Sequence, residues 1–144
     1  MPNQIRPLAI CLFRNAGRIL VFEGYDPIKQ ETFYRPLGGG IEFGERAEDT
    51  IRREIREEIR AETASLEYLF TLENIFTFNG EPGHEIVLVF DGRLADERLY
   101  VQEMIIGHES DGTLQAPLKA IWMSLAEFGP RAPLYPAGLL ERLK

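Results

Sequence analysis

Three glutamates stand close together near the middle of the chain, in the run Arg53-Glu54-Ile55-Arg56-Glu57-Glu58. If this stretch is helical, positions i, i+3 and i+4 fall on one face, so Glu54, Glu57 and Glu58 share a stripe. Carboxylates crowded at the edge of a core repel one another and lose hydration, a cost that falls only when cations sit among them. Arg53, four residues before Glu57, supplies one positive charge and can pair with it. A divalent ion would supply more. Magnesium is a hard ion that prefers oxygen ligands in octahedral array, usually a few carboxylates, waters and the phosphates of a substrate. Upstream, Gly38-Gly39-Gly40 offers backbone without side chains, which suits close approach to an ion or a phosphate.

These residues need elements that position them. Ala47, Ile51, Ile55 and Ile59 recur every four residues, an apolar stripe that predicts a helix over Arg46 to Arg60 with one side on a core. Arg52, Arg56 and Arg60 then take the outer face as solvated charge. Thr32 to Leu37 reads as a strand that delivers the chain to a glycine loop beginning at Gly38. The order strand, glycine loop, helix is what a site at a helix entrance requires. A Glu/Arg-rich helix taken alone is also an ordinary amphipathic surface helix. The register of the helix with the glycines narrows that choice.

Gly39, Glu45, Arg53, Glu54, Ile55, Glu57 and Glu58 fall in step with Gly, five residues, Glu, seven residues, Arg-Glu-aliphatic-X-Glu-Glu-X-Gly-aliphatic. That pattern marks the Nudix hydrolases, and the chain resembles this family, including its MutT-like members. The resemblance implies an α/β fold, an α/β/α sandwich with a mixed β-sheet. It also implies hydrolysis, dependent on Mg2+ or Mn2+, of a nucleoside diphosphate linked to another group. By the same resemblance Glu54, Glu57 and Glu58 match metal-binding glutamates, with the Gly39 carbonyl as a further candidate ligand. Glu54 or Glu58 could double as general base, and Arg53 and Glu45 match residues that orient the others. Gly38, Gly39, Gly40 and Arg35 are the candidates for the substrate's phosphates. Arg60 stands where the family has glycine. A left-handed helix end costs a residue with a side chain roughly 1 to 2 kcal/mol, so Arg60 suggests a different exit, one turn further towards Thr63.

MutT-type members of the family carry another glutamate just before a Trp-Met-Ser-Leu-like segment. Here Ile121 precedes Trp122-Met123-Ser124-Leu125. Glu103 and Glu109 are the candidate replacements, and Lys119 could instead face a phosphate. A base would need an aromatic surface and a few polar groups, for which Phe33, Tyr34, Phe76 and Trp122 are eligible. His84 and Glu85, at the mouth of a hairpin, could contact a ligand.

Around this centre the chain reads as Leu8 to Phe13 and Ile19 to Phe22 in a hairpin, a loop at Gly24 to Gln30, and a β-rich segment from Leu66 to Phe78. A turn at Asn79 to Gly83 leads to a strand at His84 to Phe90. Leu94 to Gln102 reads as a turn at Asp96-Glu97-Arg98 before a short strand or an extended loop. Met104 to Gly107 and Leu118 to Met123 read as strands flanking Ser110-Asp111-Gly112. A short helix begins at Ser124, a proline-rich connection spans Gly129 to Pro136, and a closing helix covers Ala137 to Leu143. Strands on both sides of the helix, some in hairpins, predict a mixed sheet.

Length and charge bound the function. At 144 residues the chain suits a single domain over 1–144. A net charge of −7 argues against polymeric nucleic acid and anionic membranes as partners. The single Cys11 excludes an intrachain disulfide. No apolar run reaches membrane-spanning length, and the expected location is cytoplasmic. The expected partner is a small nucleoside diphosphate derivative: a nucleotide, an ADP-ribose-like compound or a dinucleoside polyphosphate. The expected assembly is a monomer or homodimer. Two other readings stand beside hydrolysis: a Nudix-fold nucleotide-binding or regulatory domain with little turnover, and a non-catalytic helical interface protein, which the register opposes.

Overall fold

The computed structural model describes residues 3–107 and 118–144. β1 (Ile5–Asn15), β2 (Arg18–Asp26) and β3 (Glu31–Gly40) lead into α1 (Ala47–Ile59). β4 (Thr63–Phe78) and β5 (Glu81–Leu94) form a long hairpin, followed by a 3-10 turn at Glu97–Val101, β6 (Met104–Gly107) and β7 (Leu118–Ser124). A second 3-10 turn at Leu125–Glu127 and α2 (Leu139–Leu143) close the chain. The strands lie in the order β4-β5-β1-β3-β2-β7-β6. β1 and β5 run parallel, and the remaining pairs are antiparallel, so the sheet is mixed as expected.

Side-chain alternation sends successive residues of β1 to opposite faces. Ala9, Cys11 and Phe13 pack with Ile51, Ile55 and Ile59 of α1, whereas Ile10 and Leu12 pack in a second cluster with Leu139 of α2. The sheet is thereby covered on both sides. Each isoleucine of the α1 stripe is buried, a contribution of about 1.5–3 kcal/mol apiece.

β3 belongs to both halves of the sheet. Glu31 to Pro36 pairs with β2, and Leu37 to Gly40 pairs with β1. The expected hairpin of β1 and β2 exists only at its tip, where Arg14 opposes Ile19 and Asn15 opposes Arg18, because β3 takes over the pairing beyond it. The glycines are therefore not a loop. Gly38, Gly39 and Gly40 are strand residues opposite Ile10, Ala9 and Leu8, and the irregular connection begins only at Ile41.

Other expectations shift in detail. The Gly24 to Gln30 loop shortens, since β2 runs on to Asp26. Asp26 is buried and accepts backbone N–H bonds from Ile28 and Lys29 of its own turn and from Asn79 of the β4–β5 turn. That carboxylate ties two hairpin tips together. The turn expected over Asn79 to Gly83 is only Asn79-Gly80, both at positive φ, as a two-residue hairpin turn demands. The extended chain expected near Leu94 to Gln102 contains the 3-10 turn instead, capped by Asp96. Ser110, Asp111, Gly112 and Glu109 lie outside the described residues.

The helix exit differs from expectation most clearly. α1 stops at Ile59, and Arg60 takes the left-handed conformation at φ 55°, ψ 41°, its N–H bonding back to Arg56 O. The buried Ala61 follows at once, so the tertiary fold imposes the turn in spite of the side chain. Arg60→Gly should remove about 1 kcal/mol of strain and raise the thermal midpoint by roughly 3–5 °C. A melting curve measures this, and an unchanged or lower midpoint would show that Arg60 is not strained there.

Candidate functional site

Arg53 is the centre of the acidic face. Its Nε and Nη2 donate to the two oxygens of Glu45 at 2.8 and 3.0 Å, a bidentate pair. Nη2 also donates to the Gly40 carbonyl at 3.1 Å, and Nη1 to Glu54 at 2.7 Å and Glu57 at 3.2 Å. The expected Arg53–Glu57 pair is thus one of five bonds, and a guanidinium has five N–H donors. Hydrogen bonds donated to Glu45, and then to Glu54 and Glu57, hold the guanidinium more firmly charged than usual against the opposing pull of burial.

Glu45 sits in the connection before α1. Thr50, one turn into the helix, donates its hydroxyl to Glu45 at 2.6 Å, and the Glu42 N–H adds a bond at 3.2 Å. The Arg53 fork, then the Thr50 hydroxyl, bring its carboxyl down from 4.5 to about 2. Thr50 was not singled out from sequence, although a buried hydroxyl in the first turn, five residues after a motif acid, is a legible signal.

Glu54 and Glu58 are buried, whereas Glu57 is half-exposed. Among the described residues these carboxylates are not gathered around a single point, and Arg53 stands between Glu54 and Glu57. Their chemistry nevertheless fits a hard divalent cation: charged oxygen donors beside a carbonyl-bearing strand. The closeness of that strand is measurable. A Cβ built on Gly39 would lie 2.5 Å from Glu54 Cδ and 2.6 and 2.8 Å from its oxygens. Any side chain at Gly39 would fill the space that brings main chain and carboxylate together.

The outer arginines are not all simply solvated. Arg52 donates to the Thr63 carbonyl at 2.8 Å, and Arg56 pairs with Glu62 at 3.0 Å. Glu103 is exposed just before β6, and Lys119 is exposed on β7 opposite Ile106. Neither lines the cavity described next.

A cavity of about 650 Å³ opens where the β2–β3 hairpin diverges from β1, β4 and β5. Phe33, Phe76 and Arg35 line it, as does Glu85, whereas Tyr34 and Trp122 do not. Tyr34 packs against Phe128 at 5.9 Å between ring centroids. Trp122 is a core residue, stacked near Tyr100 and donating its indole N–H to the Leu99 carbonyl at 3.2 Å. His84 lies in a separate, smaller recess beside it. Arg6, Asn74 and Tyr135 line the cavity and were not foreseen. For Asn74 a signal existed: an amide placed between Leu72 and Phe76 on one face of a strand. Arg6 links the two regions, because it lines the cavity while its guanidinium lies 3.2 Å from a Cβ built on Gly40, whose carbonyl holds Arg53.

A family model described as the NUDIX domain matches residues 3–141. Among solved structures, a MutT NUDIX hydrolase from Burkholderia pseudomallei is similar at 21% identity and TM-score 0.69, covering 99% of this chain and 100% of that one. The ORF135 protein of E. coli is similar at 21% identity and TM-score 0.58, covering 97% and 89%. An ADP compounds hydrolase is similar at 19% identity and TM-score 0.53, covering 88% of this chain and 60% of that one. At these identities the structural likenesses establish the fold.

Glu45 also makes the site sensitive to acid. Its pKa is lowered on folding, so the unfolded chain takes up the proton first, and the stabilisation is complete above about 4.5 and lost as pH falls to about 2. Urea midpoints across that window should fall more steeply for the wild type than for Glu45→Gln. Parallel curves would mean that the Arg53–Glu45 pair contributes nothing to stability.

Proposed function

The chain belongs to the Nudix family, and from that premise we propose that it hydrolyses the diphosphate linkage of a nucleoside diphosphate derivative with the help of Mg2+ or Mn2+. The observation that carries this reading is the contact between the Gly39 backbone and the buried Glu54 carboxylate. In the proposed assignment Glu54, Glu57 and Glu58, with the Gly39 carbonyl, hold the metal. A bound divalent ion would neutralise the diphosphate and make a water more acidic. Either Glu54 or Glu58, both on the inner face of α1, would accept the proton of the attacking water.

Arg53 and Glu45 act through position. The guanidinium fixes the Glu54 and Glu57 side chains relative to β3, and Glu45 with Thr50 fixes the guanidinium. Of the three glycines considered for the phosphates, Gly39 and Gly40 are partly exposed and are the ones proposed to face them, whereas Gly38 is buried against the Ala9 carbonyl. Arg35, stacked over the Phe22 ring at 5.6 Å, lines the cavity and offers a cation there. The cavity falls in the 300–1,000 Å³ range typical of small-molecule sites, and we assign it to the nucleoside. The whole chain, 1–144, is taken as one such unit.

The test is release of phosphate or nucleotide from a panel of nucleoside diphosphate derivatives with Mg2+. Glu57→Gln and Glu58→Gln should each lower turnover by about 10² to 10⁴. Arg53→Lys cannot reproduce the planar fork and should cost roughly tenfold to a hundredfold in kcat. Fully active variants would refute the assignment. Binding of nucleotides without turnover of any compound would favour a regulatory domain instead.

A further inference from the structure

Asn74, Glu85 and Arg6 lie side by side across three neighbouring strands, with Glu85 opposite Asn74 on one side and opposite Arg6 on the other. All three line the cavity. Asn74 is buried, and its amide is oriented from both ends: Oδ1 accepts the Ala137 N–H at 3.3 Å, and Nδ2 donates to Glu85 Oε1 at 3.3 Å. This arrangement holds a carboxylate still in the wall of an aromatic-lined space. Arg6 approaches the other oxygen only to 3.8 Å and is itself mostly exposed, so the ion pair is weak. A carboxylate has room for about four hydrogen bonds, and among the described residues Asn74 supplies one.

Resting on the assignment of the cavity to the nucleoside, we propose that Glu85, oriented by Asn74, selects a base edge bearing two adjacent N–H donors, the edge of a guanine. The aromatic rings supply stacking that every base can use, so discrimination falls to the polar wall. A carboxylate there accepts and does not donate. Guanine presents a ring N–H next to an exocyclic amino group, which matches the two oxygens of one carboxylate. Adenine and cytosine present a single amino group beside a ring acceptor, and uracil flanks its N–H with two carbonyls. Each of these turns at least one lone pair towards Glu85 and leaves it uncompensated.

The selection reaches the base without passing through α1 or the acidic face, so it can be read from binding alone. Calorimetric titration without metal would compare GMP, AMP, CMP and UMP, with IMP and 1-methyl-GMP as forms of the guanine edge lacking one donor each. Wild type should bind GMP about tenfold to a hundredfold more tightly than the others, since each hydrogen bond to a charged acceptor is worth roughly that factor. Glu85→Gln, nearly isosteric and still able to accept from Asn74, should bring GMP and AMP to within about threefold of each other. The 1-methyl-GMP and IMP comparisons need no variant and stand even if Glu85→Gln fails to fold. Equal binding of GMP and 1-methyl-GMP, a preference for another base, or a guanine preference that survives in Glu85→Gln would each overturn the proposal while leaving the nucleoside assignment in place. Failure of every nucleotide to bind would overturn both.

Discussion

A guanidinium carries its five N–H donors in one plane, and in Arg53 all five reach oxygen atoms fixed on different parts of the chain. Gly40 speaks for β3, Glu45 for the connection, and Glu54 and Glu57 for α1. Without a cation at their centre these carboxylates would repel one another at the margin of the core, and the helix would have reason to turn its acidic stripe to water. With it, the apolar stripe of Ile51, Ile55 and Ile59 and the acidic stripe can both face inward. A lysine could neutralise the charge but could not hold three carboxylates and a carbonyl in a fixed relation.

The second constraint is the sharing of β3 between two halves of the sheet. Because its first part pairs with β2 and its last part with β1, the β2–β3 hairpin leaves β1, β4 and β5, and the cavity opens in the gap. Asp26 limits how far the gap can open by joining the β2–β3 turn to Asn79. Arg6 and Gly40 then connect this space to the Arg53 cluster, so one strand reports to both regions.

What could be read from the sequence was what depends on local periodicity. The four-residue spacing of isoleucines located α1 and set its start, though not its exit, within one residue, and the same periodicity placed Glu54 and Glu58 beside the core. Residues brought together across strands were harder to see. Asn74, Glu85 and Arg6 are distant in sequence and meet only through strand register, and Phe33 and Phe76 looked no different from Tyr34 and Trp122 until the register separated them. Arg60 was misread for a different reason. Local propensity disfavours a left-handed arginine, but the burial of Ile59 and Ala61 on either side leaves the chain no room for another helical turn.

The glycines show how a residue type can be recognised while its use is misjudged. Three in succession suggested a flexible loop wrapping an ion or phosphate, yet Gly38 to Gly40 are held by strand pairing with β1. What glycine provides at Gly39 is proximity, because the strand lies against the Glu54 carboxylate at a distance that excludes a side chain. At Gly38 the same argument applies on the other side, where a Cβ would collide with the Ala9 carbonyl. A paired strand cannot adjust to a ligand as a loop can. The backbone of β3 is therefore fixed by its pairing with β1, and the ordering cost that a mobile loop would carry is met once, in folding.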